Sequence, residues 1–227
     1  MIGVVIATLN EAQALPALLE DLRELAVSLP IDVVVADGGS ADGTRAIAAA
    51  AGARVLQAPR GRARQLNRGA MVAQGDWLLF LHADCRLGDG ARGALRGALE
   101  PSAGLQAAVF RFAIDLPPFW RRFLETGQAV REALSGLAYG DQGLLIRREL
   151  FQSVGGYPDL PLMEDVAMIR LLRRRTRVTR LPAPLVTSGR RYRQGGVVRT
   201  WLKHTALISL YLIGTSPARL ARGRDGG

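Results

Sequence analysis

Apolar residues fall along this chain in two rhythms. Strand-like stretches at residues 2–7, a continuous apolar run, and at 31–37, 53–58 and 76–82 alternate with stretches whose apolar positions recur every three or four residues. Continuous runs bounded by turn residues predict buried strands, and the wider spacing predicts amphipathic helices. Leu15, Leu18, Leu19, Leu22 and Leu25 form one such helical face within 11–29. Residues 40–52 open on cap-like side chains and close on Gly52, and 62–75 close on Gly75, as helices do. Strand and helix alternate in this way up to a fourth strand. That order predicts an α/β fold: a mixed, mainly parallel sheet flanked by helices on both faces.

Beyond residue 90 the pattern changes. Helices are predicted at 91–100, 119–134 and 163–175. Residues 107–114 alternate like a half-exposed strand and predict an antiparallel edge. Further strands are predicted at 143–148 and 177–182, and a C-terminal helix with an apolar face at 197–214. No repeat and no low-complexity linker interrupts the chain, so a single domain over 1–227 is expected.

Composition narrows the setting. Cys85 is the only cysteine, so no intrachain disulfide can form, and its soft thiol reads as packing. The N-terminus carries neither a basic segment nor a small-residue cleavage site, so no signal peptide is expected. The apolar run at 206–214 is shorter than the roughly 20 residues that span a bilayer. A cytoplasmic protein is therefore expected. Its C-terminal helix, with Arg199 and Lys203 beside Trp201, Leu207, Ile208 and Leu210, offers a peripheral membrane contact, a homodimer contact or packing on the sheet.

The net charge is +10, and Lys203 is the only lysine. Arginine in place of lysine fits a GC-rich genome, and equally a phosphate-bearing partner, because guanidinium forks match phosphate oxygens. Nucleic acid is not the expected partner. Aromatics are only 6% of the residues, and the strand ends carry carboxylates that would repel a phosphate backbone.

Ligands of an open parallel sheet bind beyond the carboxyl ends of its strands. All four early strands end in polar groups: 8–11, 37–44, 59–69 and 82–84. Each tip alone is ordinary turn or cap chemistry. Together they define one polar cleft. Asp37 ends a buried strand, where a carboxylate needs a partner, and a nucleobase N–H could supply it. Gly38 and Gly39 would let a flat base approach the backbone. Arg62 and Arg64 open a helix, an anion-binding arrangement. Asp84 beside a phosphate site calls for a cation between them, and Mg²⁺ or Mn²⁺ takes one or two carboxylates plus substrate phosphates. His82 and Asp84 would point the same way in an extended segment. His82 is open as a metal ligand, a diphosphate partner or an orienting residue.

Downstream, Asp141 and Gln142 precede a strand within 139–143, and Glu164 and Asp165 stand at a helix start. That pair is either helix-terminal charge or a general base. Arg190, Arg191 and Arg193 could clamp a phosphate or an acidic substrate. The arginines of 170–180 read as a solvated basic face.

The motifs TLNE, DGGSADGT, GRARQLNRG, LHAD and MED stand in the order and spacing of the family 2 glycosyltransferases, which the chain resembles over nearly its whole length. More narrowly, GDQGLLIRR, VGGYPDLPLMED and TSGRR are similar to a bacterial subgroup labelled arsenosugar-biosynthesis glycosyltransferases. The resemblance implies a GT-A fold, with 1–90 the nucleotide-binding half, 91–195 the acceptor-binding half and 196–227 a C-terminal helix and tail. It implies an inverting, sugar-nucleotide-dependent enzyme of the hexosyltransferase type, taking a nucleoside-diphosphate sugar and a hydroxyl acceptor with Mg²⁺ or Mn²⁺. Thr8, Glu11 and Asp37 would hold the nucleoside, with Gly38 beside them. Arg64 and Asn67 would line the base or diphosphate side. Residues 82–84 would be a variant of the family's Asp-x-Asp motif, with Asp84 on the metal and Asp165 the catalytic base. Asp141, Gln142, Glu164, Arg190 and Arg191 would face the acceptor or phosphates.

Two departures stand out. His82 replaces the first Asp of Asp-x-Asp, which thins the metal site. The Gln-x-x-Arg-Trp motif of processive members is absent, since Arg199 and Trp201 are wrongly spaced after Gln194. Single sugar transfer is expected. The other enzyme class considered, nucleotidyl transfer, wants a Gly-rich phosphate loop and an activating lysine. The loop after the first strand has no glycine, and the lone lysine is at 203.

Overall fold

The computed structural model describes residues 1–135 and 140–225. Tyr139, part of the 139–143 feature, lies outside the described residues. The elements in chain order begin β1 (Ile2–Thr8), α1 (Leu15–Ala26), β2 (Ile31–Asp37), α2 (Thr44–Ala50), β3 (Arg54–Gln57), α3 (Arg62–Val72) and β4 (Trp77–His82). They continue with β5 (Cys85–Arg86), α4 (Asp89–Leu99), β6 (Ala107–Asp115), α5 (Pro118–Ser135), β7 (Leu144–Arg147) and α6 (Arg148–Ser153). The last are α7 (Glu164–Arg173), β8 (Val178–Ser188), α8 (Arg190–Gly195), α9 (Val197–Leu212) and α10 (Pro217–Asp225).

The strands join one eight-stranded sheet in the order β3-β2-β1-β4-β7-β6-β8-β5. The first four run parallel, β7 is antiparallel to both β4 and β6, and β8 is parallel to β6. Alternate residues of β1 serve opposite faces. Val4 and Ile6 pack with the leucines of α1 and with Leu95 of α4, while Val5 packs with Leu66 of α3, Ile169 of α7 and Ile208 of α9. Each fully buried leucine contributes about 2 kcal/mol of apolar burial. At Gly69 a Cβ would lie 2.3 Å from Val5 Cγ1, so only glycine lets α3 settle this close to the sheet. Arg148 completes that packing. Its guanidinium donates to the carbonyls of Ala70, Ala73 and Gly75, otherwise orphaned at the C-terminal end of α3.

Three expectations need correction. First, β6 is interior rather than an antiparallel edge, because Ala107 to Phe110 are buried on both faces. Second, the last strand runs on to Ser188. Pro182 and Pro184 break the strand signal, but the register with β6 shifts between Val109 and Arg111, opposite those prolines. An irregularity is where a residue without an N–H can sit. Third, the chain turns at Ala83–Asp84 after β4, and Cys85–Arg86 then pairs with β8, so 82–84 is not one extended segment. Cys85 is buried packing, as expected, and burial pushes its thiol far up.

Candidate active site

Parallel register sets the mouth of the cleft. Thr8 pairs with Asp37 and Ala7 with His82, so the three strand ends reach one edge. Asp37 is 0% exposed and its carboxylate is fully used. One oxygen accepts the Gly39 and Ser40 amides at 3.0 and 2.8 Å, and the other accepts the Thr8 and Ser40 hydroxyls at 3.0 and 2.5 Å. Burial pushes its pKa up, but these hydrogen bonds outweigh burial and hold it below the ordinary value. A carboxylate has about four acceptor positions. Asp37 therefore shapes the turn that carries the cleft wall, with its acceptor positions taken by Thr8, Gly39 and Ser40.

A residue that sequence reasoning missed braces this turn. Gln65 Nε2 donates to the Thr8 and Ala36 carbonyls at 2.7 and 2.8 Å. A Cβ on Gly38 would meet the Gln65 carboxamide at 3.1 Å, so Gly38 faces this brace, and Gly39, with φ +93° and open space, faces out. The available signal was a polar residue one helical turn after Arg62, on the buried stripe of α3 with Leu66 and Gly69.

Two other expected donor residues are occupied by protein. Asn67 donates to the Tyr157 carbonyl and accepts the Tyr157 amide, both at 2.8 Å, which pins the loop before α7. Arg64 Nε donates to both carboxylate oxygens of Asp159 at 2.9 Å on the surface. Glu11 sits in the loop after β1. Its carboxylate accepts from Arg190 at 3.1 Å, joining residues 179 apart.

The centre of the site is Arg62. Its Nε donates to Glu164, one terminal nitrogen lies 3.6 Å from Asp165 Oδ2, and the other is 3.1 Å from His82 Nε2. Burial would lower its pKa, but Glu164 and Asp165 outweigh that and hold it above the ordinary value. Burial first, then Arg62 and Arg191, hold His82 well below its ordinary pKa, so it is neutral and Nε2 accepts from Arg62. Arg62, His82, Tyr157, Glu164 and Asp165 line one pocket with the apolar Leu66 and Phe80. Glu164 and Asp165 begin α7, and the preceding Met163 takes a left-handed conformation at φ 66°. A buried non-glycine residue held there is a strained, over-determined start that aims the two carboxylates.

Asp141 stands close enough to Asp165 for the two charges to interact. Burial, then Asp165, push its carboxyl up to about 7, and its Oδ1 has no hydrogen-bond partner among the described residues. Gln142 is fully buried and donates to Glu132 at 2.6 Å, so it ties α5 to the sheet rather than facing an acceptor. Arg191 is exposed beside the pocket and contributes to the field at His82.

The residues suit a divalent cation only in a particular way. No group of three or more His, Cys, Asp or Glu side chains among the described residues could hold a metal unaided. Asp84 is half-buried, and no described residue donates to its carboxylate. One such carboxylate completed by ligand phosphates is a common Mg²⁺ or Mn²⁺ arrangement. His82 Nε2 is committed to Arg62 and does not add a ligand in this structure.

A polar pocket lined by Arg62, His82, Glu164 and Asp165 thus opens beside the strand ends of a mixed, mainly parallel sheet, on an α/β fold of the GT-A type. Residues 3–154 match the family model described as Glycosyl transferase family 2, and the chain belongs to that family. A PGL/p-HBAD biosynthesis glycosyltransferase of Mycobacterium tuberculosis is 37% identical over 91 residues, covering 37% of this chain. The chain spans 35% of the length of that relative. Succinoglycan biosynthesis protein ExoA of Rhizobium meliloti is 56% identical over 45 residues, 20% of this chain and 14% of ExoA. Among solved structures, a Pyrobaculum calidifontis mannosyltransferase in complex with GDP-Man and Mn²⁺ superposes with TM-score 0.62 at 22% identity, covering 82% of this chain and 56% of that one. S. aureus TarS in complex with UDP-GlcNAc gives 0.63 at 15% identity, covering 82% and 58%.

Proposed function

We propose that this chain is an inverting, non-processive glycosyltransferase that moves one sugar from a nucleoside-diphosphate sugar to an acceptor hydroxyl. The observation that carries this reading is the reach of Arg62, from the strand-end His82 of the donor edge to Glu164 and Asp165 across the pocket. The nucleotide sugars named with the similar structures support the donor class. The GDQGLLIRR and VGGYPDLPLMED motifs support the subgroup labelled for arsenosugar biosynthesis. Residues 1–90 serve the nucleotide and 91–195 the acceptor, within one domain.

Asp165 takes the proton of the acceptor hydroxyl as its oxygen attacks the anomeric carbon. The bond from that carbon to the diphosphate breaks on the opposite face, and the electron pair leaves with the diphosphate. Arg62 holds Asp165 beside the reacting centre, and Arg190 and Arg191 face the growing charge. Asp84 and the diphosphate oxygens would hold Mg²⁺ or Mn²⁺, which supplies charge neutralisation at the leaving group.

The test is incubation with a panel of nucleoside-diphosphate sugars and candidate alcohols, with the anomeric configuration of donor and product read by NMR. A product of opposite configuration carrying a single sugar is expected. Pyrophosphate release from a nucleoside triphosphate would instead make this a nucleotidyltransferase.

A further inference from the structure

α5 and α9 pack on each other and together present an apolar face that no other described residue covers. Trp201 of α9 stands 5.2 Å from Phe123 between ring centroids, and a Cβ on Gly127 would lie 3.3 Å from its Nε1, so the helices meet at that glycine. Inward, Leu207, Ile208 and Tyr211 join the sheet's core. Outward, α5 exposes Phe119 at 73%, Phe123 at 39% and Val130 at 53%, while α9 exposes Val198 at 47% and Leu202 at 53%. These positions are spaced by four and seven residues on α5 and by four on α9, so each helix presents one side. A soluble surface rarely leaves aromatic and aliphatic groups contiguous in this way.

Charge selects what covers this face. Arg121, Arg122, Arg199 and Lys203 are exposed around it. Residues 189–224 hold eight arginines or lysines and no Asp or Glu. The two acids of α5 turn inward: Glu125 accepts from the Ile114 amide, and Glu132 from Gln128, Gln142 and Arg180. A second copy docked here about a two-fold axis would set like charges against each other. We infer that the α5–α9 face docks on an anionic lipid surface, with Phe119, Phe123 and Leu202 entering the headgroup boundary and the arginine rim meeting lipid phosphates. This takes up one of the three roles open to the C-terminal helix, extends it to two helices and does not depend on the glycosyltransferase reading. Among the described residues no helix is long and apolar enough to cross a membrane, so the contact is peripheral.

The experiment is co-sedimentation of the full chain with phosphatidylcholine vesicles, alone and with about one-third phosphatidylglycerol. Binding to the anionic vesicles only is expected. Arg199→Gln with Lys203→Gln should weaken it roughly thirtyfold, from about 1 kcal/mol per basic group near the surface. Phe119→Ser with Leu202→Ser should abolish it while circular dichroism and melting temperature stay unchanged. The charge variant, which alters no apolar contact, keeps the test sound if the serine variant melts early. No binding to anionic vesicles, binding indifferent to both variants, or a dimer that Leu202→Ser dissociates would overturn the inference.

Discussion

Arg62 and Glu164 lie 102 residues apart in the chain and meet as an ion pair at the centre of the cleft. The pair links the helix after the third strand to the helix that carries Asp165. Glu164 is only 3% exposed, so removing its partner leaves a buried charge uncompensated. Arg62→Ala should lower unfolding stability by about 3 kcal/mol and transfer by roughly a hundredfold or more, since Asp165 loses its support. Arg62→Lys should restore part of the stability but little activity, because an ammonium cannot fork to three partners. Urea titration and a transfer assay read the two effects separately.

Asp165→Asn removes the proton acceptor and keeps the shape. Transfer should fall roughly a thousandfold, with donor binding by calorimetry unchanged. An active Asn variant would assign the base elsewhere.

Asp84→Asn should erase the Mn²⁺-dependent part of donor binding. A thermal-shift series with a nucleoside diphosphate shows this directly: wild type gains stability when both are present, by mass action, and the variant gains the same amount with or without metal.

Asp141 makes stability depend on pH. Its folded pKa of about 7 lies above the unfolded 3.8, so between these values the folded state holds the extra proton. Stability contributed by this group is full below pH 3.8 and is lost as pH rises toward 7. Asp141→Asn should flatten that decline in melting temperature across the same window.

Asn67→Ala tests a residue whose expected and observed roles differ. Both its amide groups hold the Tyr157 backbone, so the variant should lose about 2 kcal/mol of stability. Donor affinity, measured well below the melting temperature, should hardly change.

This contrast shows what the sequence can carry. The four parallel strands and their helices were legible because continuous apolar runs and helical spacing are local signals. The chemical types at the strand ends were legible for the same reason. Partners were not. Asp37, Asn67 and Gln142 look like ligand-facing polar groups in one dimension, yet Asp37 spends its hydrogen bonds on the turn that follows it and on Thr8, Asn67 on the Tyr157 backbone, and Gln142 on Phe110 and Glu132. Arg62 has no local signature distinguishing it from Arg64, but one binds three site residues and the other a surface carboxylate. The interior position of β6 escaped because its alternation with Arg111 suggested a wet face, while long-range pairing with β7 and β8 decided the matter.

β4 is flanked on its far side by β7, and the Ser188 amide at the end of β8 donates to the Asp84 carbonyl at 3.1 Å. The nucleotide-side half and the half that follows are thus interlaced, not tandem. A gene fragment ending near residue 90 would strip β4 of its neighbour and leave the Asp84 turn untethered. Swapping acceptor halves between relatives would therefore require carrying β7 and β8 as part of the donor module.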